Sequence, residues 1–140
     1  MIHPNMATML GVICTDVAIS AECLQAALTY TVNRTYNCID VDGDTSTNDT
    51  VVALANGLAG NDTITSTESE EYKDFRDALT AVGRCLSKQL VRDGEGATKL
   101  VTIRVTGAPK EEDAFKVAQS IAQSSLVKCA MYGKDPNWGR

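Results

Sequence analysis

Hydrophobic and polar positions follow two different periods along the chain, and each period predicts a different kind of element. Apolar residues spaced three or four apart predict amphipathic helices, whereas short apolar runs or strict alternation predict strands. The predicted helices span residues 20–36, 49–58, 70–91 and 111–123. The predicted strands span residues 9–15, 38–41, 99–106 and 126–132. Because strands and helices alternate, the pattern predicts an α/β fold in which a mixed sheet packs against helices.

Two segments carry the clearest periodicity. In residues 70–91 the apolar positions fall on one face of a long helix, at Tyr72, Phe75, Leu79, Val82, Leu86 and Leu90. Residues 99–106 alternate apolar with polar side chains, as a strand with one buried face does. Ser20 is the expected N-cap of the first helix, and Asp49 or Thr47 that of the second.

The composition fits one domain and argues against two classes of partner. The chain has 140 residues, 44% of them hydrophobic, and no apolar run approaches membrane-spanning length. The first ten residues show no cationic stretch and no long apolar segment, so no signal peptide is predicted. The net charge is −5 and the basic residues are scattered, whereas nucleic-acid binding needs clustered lysine and arginine. We therefore expect neither a nucleic acid nor a membrane as a partner.

The cysteines and the histidine do not have the spacing of a disulfide framework or a metal site. The five cysteines are odd in number, contain no CxxC pair and lie mostly in apolar surroundings, at Cys14, Cys23, Cys38, Cys85 and Cys129. We expect them to be small buried side chains in a reducing compartment. His3 has no cysteine or histidine nearby, so no metal site is predicted there.

Four short motifs indicate the function more directly than the hydrophobic pattern does. They are PNMATMLGVICTD (residues 4–16), VDGDTSTNDT (41–50), RDGEGATK (92–99) and GKDPNWGR (133–140). All four resemble the ornithine acetyltransferases of arginine biosynthesis, and they follow one another in that family's order. The resemblance is specific because four separate motifs agree across nearly the whole chain. It implies that residues 1–140 form a single partial domain from the middle of a longer protein, with that family's self-cleaving, N-terminal-nucleophile-like fold.

The resemblance also implies that the precursor cleaves itself between Ala7 and Thr8. Residues 1–7 would then end the upstream (alpha) chain, and residues 8–140 would begin the downstream (beta) chain. The Thr8 hydroxyl would attack the Ala7 carbonyl, and water would open the resulting ester. The new α-amino group has an unperturbed pKa of about 7.7–8, so it can take the hydroxyl proton without a histidine. From local chemistry alone, Thr8 is merely the residue that starts a strand.

The implied reaction moves an acetyl group from N-acetylornithine to Thr8 and then to glutamate, which gives ornithine and N-acetylglutamate. Some members also accept acetyl-coenzyme A (acetyl-CoA) as the donor, and no bound cofactor is expected. Glu95 matches the family's substrate-binding glutamate, so the implied substrate-binding residues are Thr8 and Glu95. A lone glutamate in a loop would otherwise be a solvated carboxylate. The family's oxyanion-hole threonine and glycine and a substrate-binding lysine are expected upstream of Met1, and further substrate contacts beyond Arg140. We therefore expect this stretch alone to be inactive.

Alternating aspartates at and just before the start of the second motif invite a calcium hypothesis. Asp40, Asp42 and Asp44 are spaced as in an EF-hand loop. That loop needs glycine at its sixth position and glutamate at its twelfth, and this sequence has Thr45 and Val51 there. The sequence therefore predicts a turn and no metal.

Two other functions stay open. A related self-cleaving aminopeptidase would use the same nucleophile but pass the acyl group to water. A non-catalytic α/β binding or structural domain would leave the precursor uncut. The resemblance also implies that the two cleaved chains stay together and assemble into a higher oligomer. We expect a cytoplasmic protein, with mitochondria or plastids as the alternative for a eukaryotic member.

Overall fold

The computed structural model describes residues 9–44, 46–137 and 139. Two strands, β1 (Leu10–Thr15) and β2 (Thr50–Ala55), flank the helix α1 (Ala21–Arg34) and a short 3-10 turn, Tyr36–Cys38. Three helices follow: α2 (Glu70–Arg92), α3 (Glu111–Ala122) and α4 (Ser125–Gly133). The predicted α/β class is confirmed, and the sheet in the described residues is a parallel pair.

The two strands and α1 form one β–α–β unit. The strands pair in parallel from Leu10 opposite Thr50 to Thr15 opposite Ala55. Parallel neighbours need a crossover connection, and α1 with the loop after it provides that crossover. A further parallel bridge joins Ile19 to Ile64 beyond the strands. The core lies where β1 meets the two long helices and contains Ile13, Cys23, Ala27, Ile64, Tyr72 and Leu79.

Helix α2 packs closely on α1 through small and polar residues. Thr31 is completely buried, and its Oγ1 lies 3.0 Å from Oγ1 of Thr80. The Thr35 hydroxyl donates to the Thr31 carbonyl at 2.7 Å, so the buried polar groups at this crossing are paired. Gly83 faces these threonines, and the absence of a side chain there lets the two helices approach.

The face of the sheet that points away from the core is apolar and exposed. Side chains alternate between the two faces of a strand, so Ile13 points into the core while its neighbours point away. Leu10 is 79% exposed and Val12 64% exposed, and Leu54 on β2 is 53% exposed. Among the described residues, no helix is both long enough and apolar enough to cross a membrane.

The helices with long, regular periods were predicted correctly. Helix α1 begins after Ser20, whose hydroxyl accepts from the Cys23 N–H at 3.2 Å, as the sequence predicts for an N-cap. Residues 70–91 and 111–123 also form helices, within a residue of the predicted bounds. The predicted strand at 9–15 is confirmed as β1.

Four other predictions were wrong. Within residues 49–58, the segment Thr50–Ala55 forms β2 and no helix is present, so neither Asp49 nor Thr47 caps one. Residues 38–41 form the end of the 3-10 turn and a loop, and residues 126–132 belong to α4, which Ser124 caps. The segment 99–106 does not form a strand, because neither β1 nor β2 pairs with it through backbone hydrogen bonds. Short apolar runs fit either kind of element, so partners and caps decide between them.

Candidate active site

The backbone just after the predicted nucleophile is held at both of its polar groups. Ala7 and Thr8 lie outside the described residues, but a peptide bond joins Thr8 to Met9. The Met9 N–H donates to Oδ1 of Asp49 at 2.8 Å, and the Met9 carbonyl accepts from the Thr50 N–H at 2.8 Å. Burial raises the pKa of the Asp49 carboxyl, and the Met9 hydrogen bond opposes that shift.

A cavity of about 620 Å³ lies beside this start of β1. Leu10 lines one side of it, and Arg92 and Asp93 at the end of α2 line another. Tyr36 lines it too; its side chain is 5% exposed and its hydroxyl has no hydrogen-bond partner among the described residues. Burial raises the pKa of that hydroxyl, so it stays protonated near neutral pH. The cavity therefore lies between the strand that follows Thr8 and the helix end that leads to Glu95.

Glu95 lies on a tight turn whose two glycines have different roles. A Cβ on Gly94 would lie 3.0 Å from Cγ1 of Val41, so the turn packs directly on the loop that contains Val41. Gly96 has a φ of +68°, a left-handed conformation that side chains rarely adopt. The turn closes with a 2.9 Å hydrogen bond from the Ala97 N–H to the Gly94 carbonyl. This geometry leaves Glu95 itself exposed to solvent.

A second cavity, of about 280 Å³, is lined by Glu95, Lys99, Lys128 and Tyr132. Lys128 forms an ion pair with Asp40, whose side chain is only 5% exposed, and also donates to the Val41 carbonyl at 2.8 Å. This contact fixes α4 against the second motif. The Lys99 ammonium donates to the Tyr132 carbonyl at 3.0 Å. Groups of both charges thus lie around a cavity large enough for a small amino acid.

The second motif joins the first and third motifs in space. Its last two residues, Asp49 and Thr50, hold Met9, while Val41 at its beginning packs against Gly94 beside Glu95. The positions next to Thr8 and Glu95 are therefore connected by one stretch of ten residues, 41–50. The resemblance of this motif to the family does not indicate that connecting role.

The aspartate loop itself is a turn. The Asp44 N–H donates to Oδ1 of Asp42 at 3.1 Å, and Gly43 has a φ of +77°. No group of three or more potential ligand side chains that could hold a metal occurs within the described parts of the chain. The absence of a metal at this loop stays a prediction, and His3 lies outside the described residues.

The cysteines are free, but the expectation that they are mostly buried was wrong. Cys23 is buried, whereas Cys14, Cys38, Cys85 and Cys129 are exposed.

In the last motif, Lys134 ends α4 in a left-handed conformation, and the Asp135 N–H bonds to the Ala130 carbonyl at 2.9 Å. The motif is a helix end as well as a turn, and its Trp138 lies outside the described residues.

Comparison with known proteins gives a consistent result. The model of the ArgJ family matches residues 1–140. The chain is 56% identical to the arginine biosynthesis bifunctional protein ArgJ, mitochondrial, of Ajellomyces capsulatus and 57% identical to the protein of that name from Aspergillus niger. Both alignments include all of this chain but only 30% and 31% of those proteins. The chain thus spans about a third of the length of these relatives.

A solved structure gives the same result for the fold. The crystal structure of the arginine biosynthesis bifunctional protein argJ from Bacillus halodurans superposes with a TM-score of 0.89 at 51% identity. The match includes 94% of this chain and 62% of that one. These similarities define the class as an α/β chain with the N-terminal-nucleophile-like fold of a protein named for arginine biosynthesis. The chain belongs to the ArgJ family.

Proposed function

We propose that the full-length protein containing this chain transfers an acetyl group from N-acetylornithine to glutamate in arginine biosynthesis. The observation that carries the proposal is the family match over residues 1–140, which include the PNMATML motif. The close structural match to a protein with a bifunctional arginine-biosynthesis name supports it. Because this chain spans only part of its relatives, the activity is proposed for the whole protein.

The first step of the proposed mechanism creates the nucleophile. The Thr8 hydroxyl attacks the Ala7 carbonyl carbon, the Ala7–Thr8 C–N bond breaks, and the released nitrogen takes a proton. Water then hydrolyses the ester that joins Ala7 to Thr8 Oγ, which leaves a carboxylate on Ala7 and a free hydroxyl on Thr8. The product has both a nucleophile and an adjacent amine at its amino terminus.

The second step is acetyl transfer in two halves. The Thr8 amine accepts the hydroxyl proton as the oxygen attacks the acetyl carbon of N-acetylornithine, and ornithine leaves with a proton. The amine of glutamate then attacks the acetyl-threonine ester and regenerates the hydroxyl. The acetyl group passes between substrates through the protein, so the reaction needs no bound cofactor; acetyl-CoA is a second acetyl donor in this proposal.

Glu95 is proposed to bind the ammonium group of the amino-acid substrates. Its exposed carboxylate stands on a turn fixed by Gly94, and it lines a cavity beside Lys99 and Lys128. A carboxylate and an ammonium form a charge-assisted hydrogen bond, which is about twice as strong as a neutral one. The cavity next to the start of β1 is lined by Arg92 and Asp93, which precede Glu95 in the chain.

The proposal includes the partners and location of the protein. The two chains produced by cleavage are proposed to stay together, as the family resemblance implies. Assembly into a higher oligomer is proposed from the family resemblance. The names of the fungal relatives include a mitochondrial location, which supports the organellar alternative over the cytoplasm.

The test uses the full-length protein, incubated with N-acetylornithine and glutamate. We expect N-acetylglutamate and ornithine in equal amounts, and no N-acetylglutamate from the Thr8→Ala variant. A self-cleaving aminopeptidase would instead hydrolyse peptides and form no N-acetylglutamate. A non-catalytic domain would convert neither N-acetylornithine nor a peptide. The three functions therefore give different product patterns.

A further inference from the structure

The hydrogen bond between Met9 and Asp49 is unusual in its position. Parallel strands are joined mainly by backbone hydrogen bonds, and the Met9 carbonyl makes such a bond with Thr50. The Met9 N–H instead donates to the Asp49 side chain, which comes from the residue just before β2. This bond can therefore be removed by substitution without removing a backbone bond between β1 and β2.

The same bond lies next to the proposed nucleophile. Met9 follows Thr8 by one peptide bond, so the nitrogen that Asp49 holds is attached to the carbonyl carbon of Thr8. Covalent bond lengths limit the path from the Thr8 Cα to the Met9 nitrogen to about 3 Å. The two hydrogen bonds of Met9, at its N–H and at its carbonyl, therefore fix the residue to which Thr8 is covalently joined.

The hydrogen bond from the Met9 N–H to Asp49 is strong enough to hold Met9 in a fixed position. An N–H that donates to a carboxylate forms a stronger bond than one that donates to a neutral oxygen. Asp49 is also partly buried, and burial raises its pKa while the Met9 bond acts against that rise. Partial burial reduces competition from water, so the bond holds Met9 more firmly than an exposed one would.

We infer that Asp49 is a positioning residue for Thr8, acting through the Met9 backbone in both self-cleavage and acetyl transfer. The inference rests on the proposed function, because it takes Thr8 as the nucleophile. Asp49 touches neither the substrate nor the reacting atoms in this role. Reaction rates depend steeply on the placement of a nucleophile, and a displacement of about 1 Å can reduce a rate about a hundredfold.

Two substitutions in the full-length protein separate positioning from other roles. Asp49→Ala removes the acceptor, so self-cleavage and kcat should fall roughly tenfold to a hundredfold. The KM values for N-acetylornithine and glutamate should stay within about twofold, because the residue does not contact them. Asp49→Asn keeps an oxygen that can accept from the Met9 N–H, so it should restore most of both rates.

Asp62→Ala is the matched control. Asp62 is an exposed carboxylate close to the Ile19–Ile64 bridge, beyond the other end of the β1–β2 pair. Its removal should leave the cleavage rate and kcat unchanged. Melting temperatures of all three variants identify any general loss of stability.

The outcomes distinguish this inference from the proposed function. If the wild-type protein is cut before Thr8 but Asp49→Ala is cut equally fast with an unchanged kcat, Asp49 only stabilises the strand and the inference is wrong. Equal losses in the asparagine and alanine variants would also contradict it, because the bond to Met9 would then not be what matters. If the wild-type protein is not cut before Thr8, the proposed function and the inference both fail.

Discussion

Gly83 of α2 lies directly against Thr31 of α1. A Cβ built on Gly83 would lie 2.7 Å from Cγ2 of Thr31 and 3.1 Å from Oγ1 of Thr35. The first distance is shorter than side-chain contacts allow, and Thr31 is completely buried and bonded to Thr80. The two helices can therefore cross at this distance only where one of them has no side chain.

The substitution Gly83→Ala should destabilise the protein by about 1–3 kcal/mol through overpacking. Alanine favours a helix by up to about 1 kcal/mol over glycine, which offsets part of this loss. Gly133→Ala at the end of α4 is the control, because nothing lies within 4 Å of its Cβ position. Urea unfolding of the full-length variants measures both effects. A Gly83→Ala protein as stable as the Gly133→Ala protein would show that the helices are not packed this closely.

The ion pair between Lys128 and Asp40 should stabilise the region around Glu95. Lys128→Met leaves the buried Asp40 carboxylate without its ammonium, which should cost about 1–3 kcal/mol. Adding Asp40→Asn should recover part of that loss, because the remaining buried group is then uncharged. Lys116→Met, at an exposed position on α3, is the matched control.

Urea unfolding of the full-length single and double variants tests this second prediction. Additive effects of Lys128→Met and Asp40→Asn would mean that the two side chains do not interact. A loss in Lys116→Met equal to that in Lys128→Met would mean that any lysine removal has the same effect.

The long helices and the first strand could be predicted from sequence because their apolar spacing is regular over many residues. Residues 70–91 illustrate this, since six apolar positions fall on one helical face. The run TVVALA could not be resolved in the same way. Its apolar spacing fits a short helix as well as a buried strand, and only pairing with β1 makes it β2.

Sequence motifs predicted some of the site residues. They did not predict residues whose role depends on a contact with a distant part of the chain. Thr8 and Glu95 were found through their motifs, and their roles stay predictions. The bond between Asp49 and Met9 joins positions 40 residues apart, and that between Lys128 and Asp40 joins positions 88 apart. No local pattern encodes such pairs, so the sequence predicts only a helix cap at Asp49 or Thr47.

Glu95→Gln should reduce acetyl transfer while leaving self-cleavage intact. The amide keeps the shape of the side chain but removes the charge that would bind a substrate ammonium. A charge-assisted hydrogen bond is worth about 1.5–3 kcal/mol, so kcat/KM should fall roughly tenfold to a hundredfold. Most of the change should appear in KM if substrate and transition state use the contact equally.

Steady-state kinetics and gel analysis of the full-length Glu95→Gln protein check this prediction. Glu68→Gln is the control, since Glu68 is an exposed carboxylate before α2. Unchanged kinetic constants would make the Glu95 turn purely structural. Loss of self-cleavage with the fold intact would place Glu95 in the proton transfer around Thr8 instead.

In the proposed mechanism, Thr8 becomes a free amino terminus and then carries the acetyl group. Intact-mass analysis of the full-length protein tests it most directly, first as purified and then after brief exposure to N-acetylornithine without glutamate. We predict two chains whose masses place the cut between Ala7 and Thr8, and a gain of one acetyl group on the chain that begins with Thr8. Thr8→Ala should give one uncut chain without acetyl, and Thr8→Ser should keep some cleavage because a hydroxyl remains. A single uncut wild-type chain, or a Thr8→Ala protein that is still cut at this junction, would show that Thr8 is not the nucleophile of self-cleavage.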